Sequence, residues 1–250
     1  MNYNFNDNTL LHSVMFNPFK LESILQNGIM SFNEASKSNF SFTRNTFGYN
    51  FDDYISMTRY MYVSFGDKNT SFYNYTLKGI TLIVEDQDFI YNHKDMYFNY
   101  PDEVFVKDKV DKENIKGILL PLKYLDYLLE ELPMFNLKST SYVNIKHTCD
   151  DLILYLKTFN YEVNSYLYNV YLNDLYQVVL SLQKNSDDPI LLEEFMECKI
   201  NLNEFIAQEV QNAFDKLFNK KDSTLLDMVN FIACKYDKKI YYMDNFKHIR

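Results

Sequence analysis

The chain has 250 residues, 47% hydrophobic and 17% aromatic, with 34 acidic and 25 basic side chains giving a net charge of −9. That length and apolar content suit one large or two small domains with ample core. The acidic balance argues against a general phosphate-coating nucleic-acid binder, whose affinity comes from Lys and Arg neutralising phosphates, although a local patch could still hold a nucleic acid transiently.

In chain order, residues 9–16 read as a short strand, with turn chemistry at Asn17-Pro18. Phe19 to Gln26 carries Leu21, Ile24 and Leu25 at helical spacing and stops at Asn27-Gly28, a left-handed C-terminal signal. Ile29-Met30-Ser31 leads out. Residues 33–53 are polar and aperiodic and read as a long loop, of the kind that is functional or disordered in a compact domain. Tyr54-Ile55-Ser56-Met57-Thr58-Arg59 alternates as a half-buried strand does. Residues 60–75 are aromatic and irregular, Lys78 to Glu85 is a strand, and 86–100 is loop-like. Asp102 to Val106 and Ile115 to Leu120 are further strands, the second closed by Pro121.

From Leu122 onward the pattern turns helical: Lys123 to Leu132, Cys149 to Phe159, Val163 to Leu182, a helix capped by Asp188-Pro189 running through Met196, Asn203 to Phe218, and Ser223 to Cys234. Their apolar stripes read as bundle core. The expected fold class is α+β, with a mixed-sheet domain over 1–121 and an all-helical region over 122–250.

Three cysteines, Cys149, Cys198 and Cys234, form no close pair, so neither a disulfide framework nor a cysteine zinc site is implied. A reducing compartment is expected. Met1 to Phe5 lacks a basic region followed by an apolar run, and no stretch approaches the roughly 18 apolar residues of a membrane span. The expectation is a cytoplasmic protein with no membrane partner.

Two further biases locate the site. All five glycines (Gly28, Gly48, Gly66, Gly79, Gly117) lie in the first half, so positive-φ turns and backbone approaching a ligand are expected before about residue 120. No G-x-G-x-x-G or G-x-x-x-x-G-K-[ST] occurs among them, which argues against a Rossmann or P-loop nucleotide site. Arginine is nearly absent, with Arg44, Arg59 and Arg250 the only copies. Where lysine serves every plain positive charge, a retained Arg points to its planar fork, which grips phosphate or carboxylate bidentately. Arg59 stands on a strand, and two other polar groups share that setting: His12-Ser13 on the first strand and Glu103 at the head of a third. Each alone is more often structural, as a satisfied strand histidine, a surface ion pair or a solvated turn acid.

Taken together, these segments resemble the ADP-ribosyltransferase fold, in the small bacterial and phage type with His on the first strand (the DarT-like group). The resemblance rests on Leu11-His12-Ser13, Leu21 to Ile29, Ile55 to Arg59, Gly79 to Asp86, Asp102 to Val106 and Ile115 to Ile118, and spans roughly residues 8–122. It implies a split β-sheet domain and an NAD-dependent transferase that releases nicotinamide while passing ADP-ribose to a protein or nucleic acid. By position, His12 would contact a ribose hydroxyl of NAD, with Ser13 beside the nicotinamide amide. Arg59 would clamp a phosphate, and Ser56 or Thr58 would brace the site. Glu103 would be the catalytic carboxylate, bonding the ribose 2′-hydroxyl and stabilising charge as nicotinamide leaves. Tyr60, Tyr54 or Phe65 would stack on the nicotinamide ring. No metal is implied.

Pro101, two positions before Glu103, departs from the Gln or Glu that many protein-modifying members carry there, which speaks against arginine as acceptor. Arg44 competes with Arg59 for the phosphate role. The helical half would recognise the target or dock a partner. Two other readings stay open: a catalytically inactive binding or assembly protein on the same fold, and an enzyme like an RNA 2′-phosphotransferase, for which the site offers few basic groups.

Overall fold

The computed structural model describes residues 3–6, 8–14, 18–37, 53–59, 80–85, 103–121 and 142–243. The chain is a mixed α and β protein in two compact units. One contains the described residues up to 121 together with 225–243, and the other contains 142–224.

The first unit is built on a six-stranded sheet. Its strands are β1 (Thr9–Val14), β3 (Tyr54–Arg59), β4 (Ile80–Glu85), β5 (Glu103–Lys107), β7 (Ile115–Pro121) and β8 (Lys239–Met243), in the order β5-β3-β1-β4-β7-β8. Every pairing is antiparallel except the parallel β7–β8 edge. A separate two-stranded ladder joins β2 (Ile29–Met30) to β6 (Lys109–Val110).

Side chains alternate along a strand, so directly paired residues share a face. The register therefore puts Leu10, Met57, Leu82, Val84, Val104 and Ile118 on one face, all buried. The opposite face holds the buried cluster Leu11, Ile83 and Leu119, over which Tyr3, Phe5 and Tyr241 pack. Tyr3 meets the rings of Phe5 and Tyr241 edge-on at 5.0 and 4.9 Å. A strand buried on both faces must be apolar throughout rather than alternating. Ile80 to Val84, interrupted only by Thr81, and the run Ile118-Leu119-Leu120 meet that demand.

Gly117 sits where the β4–β7 register slips between Ile83 and Val84. A Cβ there would lie 2.8 Å from the Lys239 carbonyl oxygen and 2.6 Å from the Tyr241 ring, so β8 can approach only a glycine.

Helix α1 (Pro18–Asn27) opens on proline and ends at Gly28, whose φ of +93° is the left-handed conformation glycine adopts freely. The Gly28 amide donates back to the Ile24 carbonyl at 2.8 Å. A short helix α2 (Phe32–Lys37) follows. The helix preceding β8, Leu225–Lys235, packs on α1, and the turn between that helix and β8 is fixed by Lys238, whose ammonium donates to the carbonyls of Lys112 and Ile115 at 2.9 and 2.7 Å.

The second unit consists of α3 (Tyr142–Lys157), α4 (Ser165–Leu182) and α5 (Pro189–Phe218); the helix Leu225–Lys235 of the first unit is α6. Asn164 caps α4 by accepting from the Leu167 amide, and Asp188 caps α5 by accepting from the Ile190 and Leu191 amides. Ile145, Leu152, Leu172, Leu175, Ile206 and Phe214 are among its buried side chains. The buried Glu209 carboxylate accepts from the Asn164 amide at 3.0 Å and the Tyr161 hydroxyl at 3.4 Å, pinning the entry of α4 to the middle of α5.

The strands expected at 54–59, 78–85, 102–106 and 115–120 and the first helix, expected at 19–26, agree among the described residues to within a few residues at their ends. Four expectations are corrected. The loop read over 33–53 begins with α2, whose start is marked by Ser31: its hydroxyl accepts from the Glu34 amide at 3.3 Å, as in the S-x-x-E capping signature. The two helices read at 188–196 and 203–218 are one continuous helix, because nothing between them breaks an α-helix. The helix read from Cys149 begins at Tyr142. The region after 122 is not helical throughout: Lys239–Met243 forms β8 on the sheet. The helix read at Lys123 to Leu132 and the irregular stretches 60–75 and 86–100 lie outside the described residues.

Candidate functional site

Strand β1 lies at the centre of the sheet and has a complete partner on one side only. It pairs with β4 along its whole length, from Thr9↔Glu85 to Val14↔Ile80, but with β3 only at Leu10↔Arg59 and Leu11↔Thr58. Past Leu11 the two strands part. The half-buried His12 ring enters there, with Nδ1 3.0 Å from the Ser56 carbonyl oxygen, and replaces a ladder bond that the strands no longer make.

A carbonyl can only accept, so Nδ1 carries the proton. Burial pushes the His12 pKa below its ordinary value, opposed by the bond to Ser56. Near neutral pH the ring is therefore uncharged, and Nε2 presents a lone pair. Such a ring can accept a hydrogen bond from a ligand hydroxyl.

Arg59 pairs with Leu10, two residues from His12, so Arg59 and His12 share a face as diagonal neighbours, a spacing of roughly 7–8 Å in a regular ladder. A half-buried guanidinium and a neutral imidazole acceptor side by side form a donor–acceptor pair suited to a phosphate and an adjoining hydroxyl. The register brings these two sequence-derived residues onto one face, and sets Thr58 opposite Glu103 on the other.

The other candidates lie elsewhere on the sheet. Ser13, Ser56 and Thr58 alternate onto the opposite face. There the Ser13 hydroxyl is 3.0 Å from that of Thr81, its direct cross-strand partner, and Thr58 is buried while Ser56 is exposed. Ser13 is thus held by the sheet itself. Glu103 begins β5, and its Cα pairs with that of Thr58, so its register position is on the face opposite His12 and Arg59, two strands from β1 and roughly 10 Å from His12 in backbone terms. Tyr54, half-buried at the start of β3, is the one proposed stacking ring among the described residues. Tyr60, Phe65, Arg44, Pro101 and Asp102 lie outside them.

Thr81 was not singled out from the sequence. Its signal was a hydroxyl in the otherwise unbroken apolar run Ile80 to Val84. Of the two described glycines, Gly28 ends a helix at positive φ, as expected after Asn27, whereas Gly117 admits a neighbouring strand.

Among the described residues no group of His, Cys, Asp and Glu is arranged to hold a metal ion, and no helix is long and apolar enough to cross a membrane. Compared with known proteins, the chain matches no family model, and neither a curated protein nor a solved structure matches it.

Proposed function

We propose that the protein is an NAD-dependent ADP-ribosyltransferase acting on an intracellular macromolecule. The observation that carries this reading is the shared face of His12 and Arg59 at the point where β1 and β3 part. NAD supplies two phosphates and two riboses, and the donor set fits them: the Arg59 fork for a phosphate, His12 Nε2 as acceptor for a ribose hydroxyl. The resemblance assigns Glu103, at the head of β5, the ribose 2′-hydroxyl, where a carboxylate favours departure of nicotinamide by stabilising the charge left on the sugar, although its register position is on the face opposite His12 and Arg59. Thr58 and Ser56 brace β3 beneath these groups. NAD itself contributes the glycosidic bond that is cleaved and the ADP-ribose that is transferred.

The test is incubation of the purified protein with labelled NAD in a cell lysate, followed by nuclease or protease treatment to identify the class of acceptor. Glu103→Ala should abolish transfer and slow NAD hydrolysis while leaving the fold intact. Failure of the wild type both to bind NAD and to label any component defeats the proposal.

A second reading, a binding or assembly protein without chemistry, is favoured by two observations: the register sets Glu103 on the face opposite His12 and Arg59, and Nδ1 of His12 and the hydroxyl of Ser13 are both spent on neighbouring strands. Such a protein would give unchanged behaviour on Glu103→Ala.

A further inference from the structure

The amino-terminal half of α5 carries more apolar surface than its own unit covers. Leu192, Met196 and Ile200 are 45%, 50% and 46% exposed, and their i, i+4, i+8 spacing aligns them in one stripe. The stripe borders the buried face marked by Phe195, Leu202 and Ile206, so it continues the core outward. Single exposed apolar residues need no explanation, but three in register on one helix form a surface that another element can cover.

Charge specifies what kind of element. At 100° per residue, Glu193, Glu197 and Glu204 follow the stripe along its outer flank. Glu194 lies beyond that flank, and with Asp174 of α4 and Glu197 it adds to burial in pushing the Cys198 thiol upward; the other border of the stripe is the buried face. From 187 to 204 the only cation is Lys199, against six carboxylates. An apolar stripe with a row of carboxylates along its outer flank complements an amphipathic helix with lysines or arginines along one edge of its apolar face. A second copy of this chain would set the acidic flank against itself, which like-charge repulsion opposes.

We propose that the Leu192–Met196–Ile200 stripe of α5 is a docking surface for a basic amphipathic helix of another protein. The inference rests on the helical unit alone and is independent of the chemistry assigned to the sheet.

The test uses the full chain and two labelled amphipathic peptides, one of leucine and lysine, the other with glutamate for every lysine. Binding is read by fluorescence anisotropy and peptide helicity by circular dichroism. The lysine peptide should bind saturably with a gain in helicity, and the glutamate peptide should not bind. The decisive variant is Met196→Glu, at a half-exposed position that does not contribute to the core. Docking predicts affinity weaker by roughly tenfold or more, as for loss of a central contact. General attraction to an acidic protein predicts equal or tighter binding, because the variant adds a negative charge. Equal or tighter binding to Met196→Glu, equal binding of the two peptides, or no binding of the lysine peptide to the wild type overturns the proposal. A wild-type dimer in sedimentation that Met196→Glu dissociates overturns it in favour of a second copy. Unchanged binding to Leu154→Glu, another exposed apolar position, is expected; a comparable loss there would show that the stripe is not the site.

Discussion

Glu22 in the middle of α1 accepts a hydrogen bond from the Tyr236 hydroxyl at 2.8 Å, across 214 positions of sequence, and pairs with Lys235 through the same oxygen. The carboxylate is buried, whereas the lysine is half exposed. Burial raises the Tyr236 pKa and the bond adds to it, since a carboxylate at this distance favours the protonated phenol. It ties the first helix of the sheet unit to the segment that follows the helical unit.

Loss of this tie is expected to cost stability. Glu22→Ala should lower the free energy of unfolding by about 1–3 kcal/mol, the range for removing one partner of a buried polar contact. Tyr236→Phe should cost about 1 kcal/mol. Urea denaturation measures both, and equal stability of Glu22→Ala and wild type would show that solvent replaces the contact fully.

The expression of residues 1–121 alone should yield an unfolded or aggregating product. Without α6 and β8 the sheet loses the buried Leu225, Val229, Ile232 and Ala233, and β7 becomes an open apolar edge. A soluble, cooperatively melting fragment with dispersed amide resonances would disprove the dependence.

Gly28→Ala combines two penalties, a side chain at φ +93° and a Cβ placed 2.2 Å from the Val110 carbonyl oxygen. A loss of about 1–3 kcal/mol is expected, accompanied by movement of the β2–β6 ladder. Thermal melting provides the measurement, and a neutral effect would mean the turn relaxes without strain.

Acid should destabilise the protein through His12. Its native pKa is depressed, so as pH falls the unfolded chain takes up a proton before the native one does. Stability is therefore full above the unfolded value of about 6.5 and declines as pH falls below it toward the lower native pKa. His12→Asn, which removes the titration, should flatten this part of the profile. Melting temperatures at about pH 8 and about pH 5.5, the two sides of that window, provide the comparison. The same acid loss in both proteins would assign it to other groups.

Arg59→Lys separates charge from geometry. If the fork holds a phosphate, lysine in its place should weaken NAD binding roughly tenfold, because a bidentate pair becomes a point contact. Calorimetric titration with NAD reads the difference. Equal affinity would remove the reason for assigning Arg59 to the site.

The sequence by itself determined the local elements: β3 through its strict alternation, α1 through its apolar spacing and Asn27-Gly28 stop, and the start of α5 through its cap at Asp188. Each of these is decided within a few residues, where side-chain period and backbone preference act directly. Relationships between elements were decided only by tertiary structure. Lys239–Met243 is apolar and aromatic, yet its role as the parallel edge beside β7 depends on a partner about 120 residues earlier and on the space above Gly117. Likewise, the sequence named His12 and Arg59, but only the register shows that they share a face while Ser13, Ser56 and Thr58 take the other. A shift of one residue in pairing would exchange those faces, and no local preference fixes that choice.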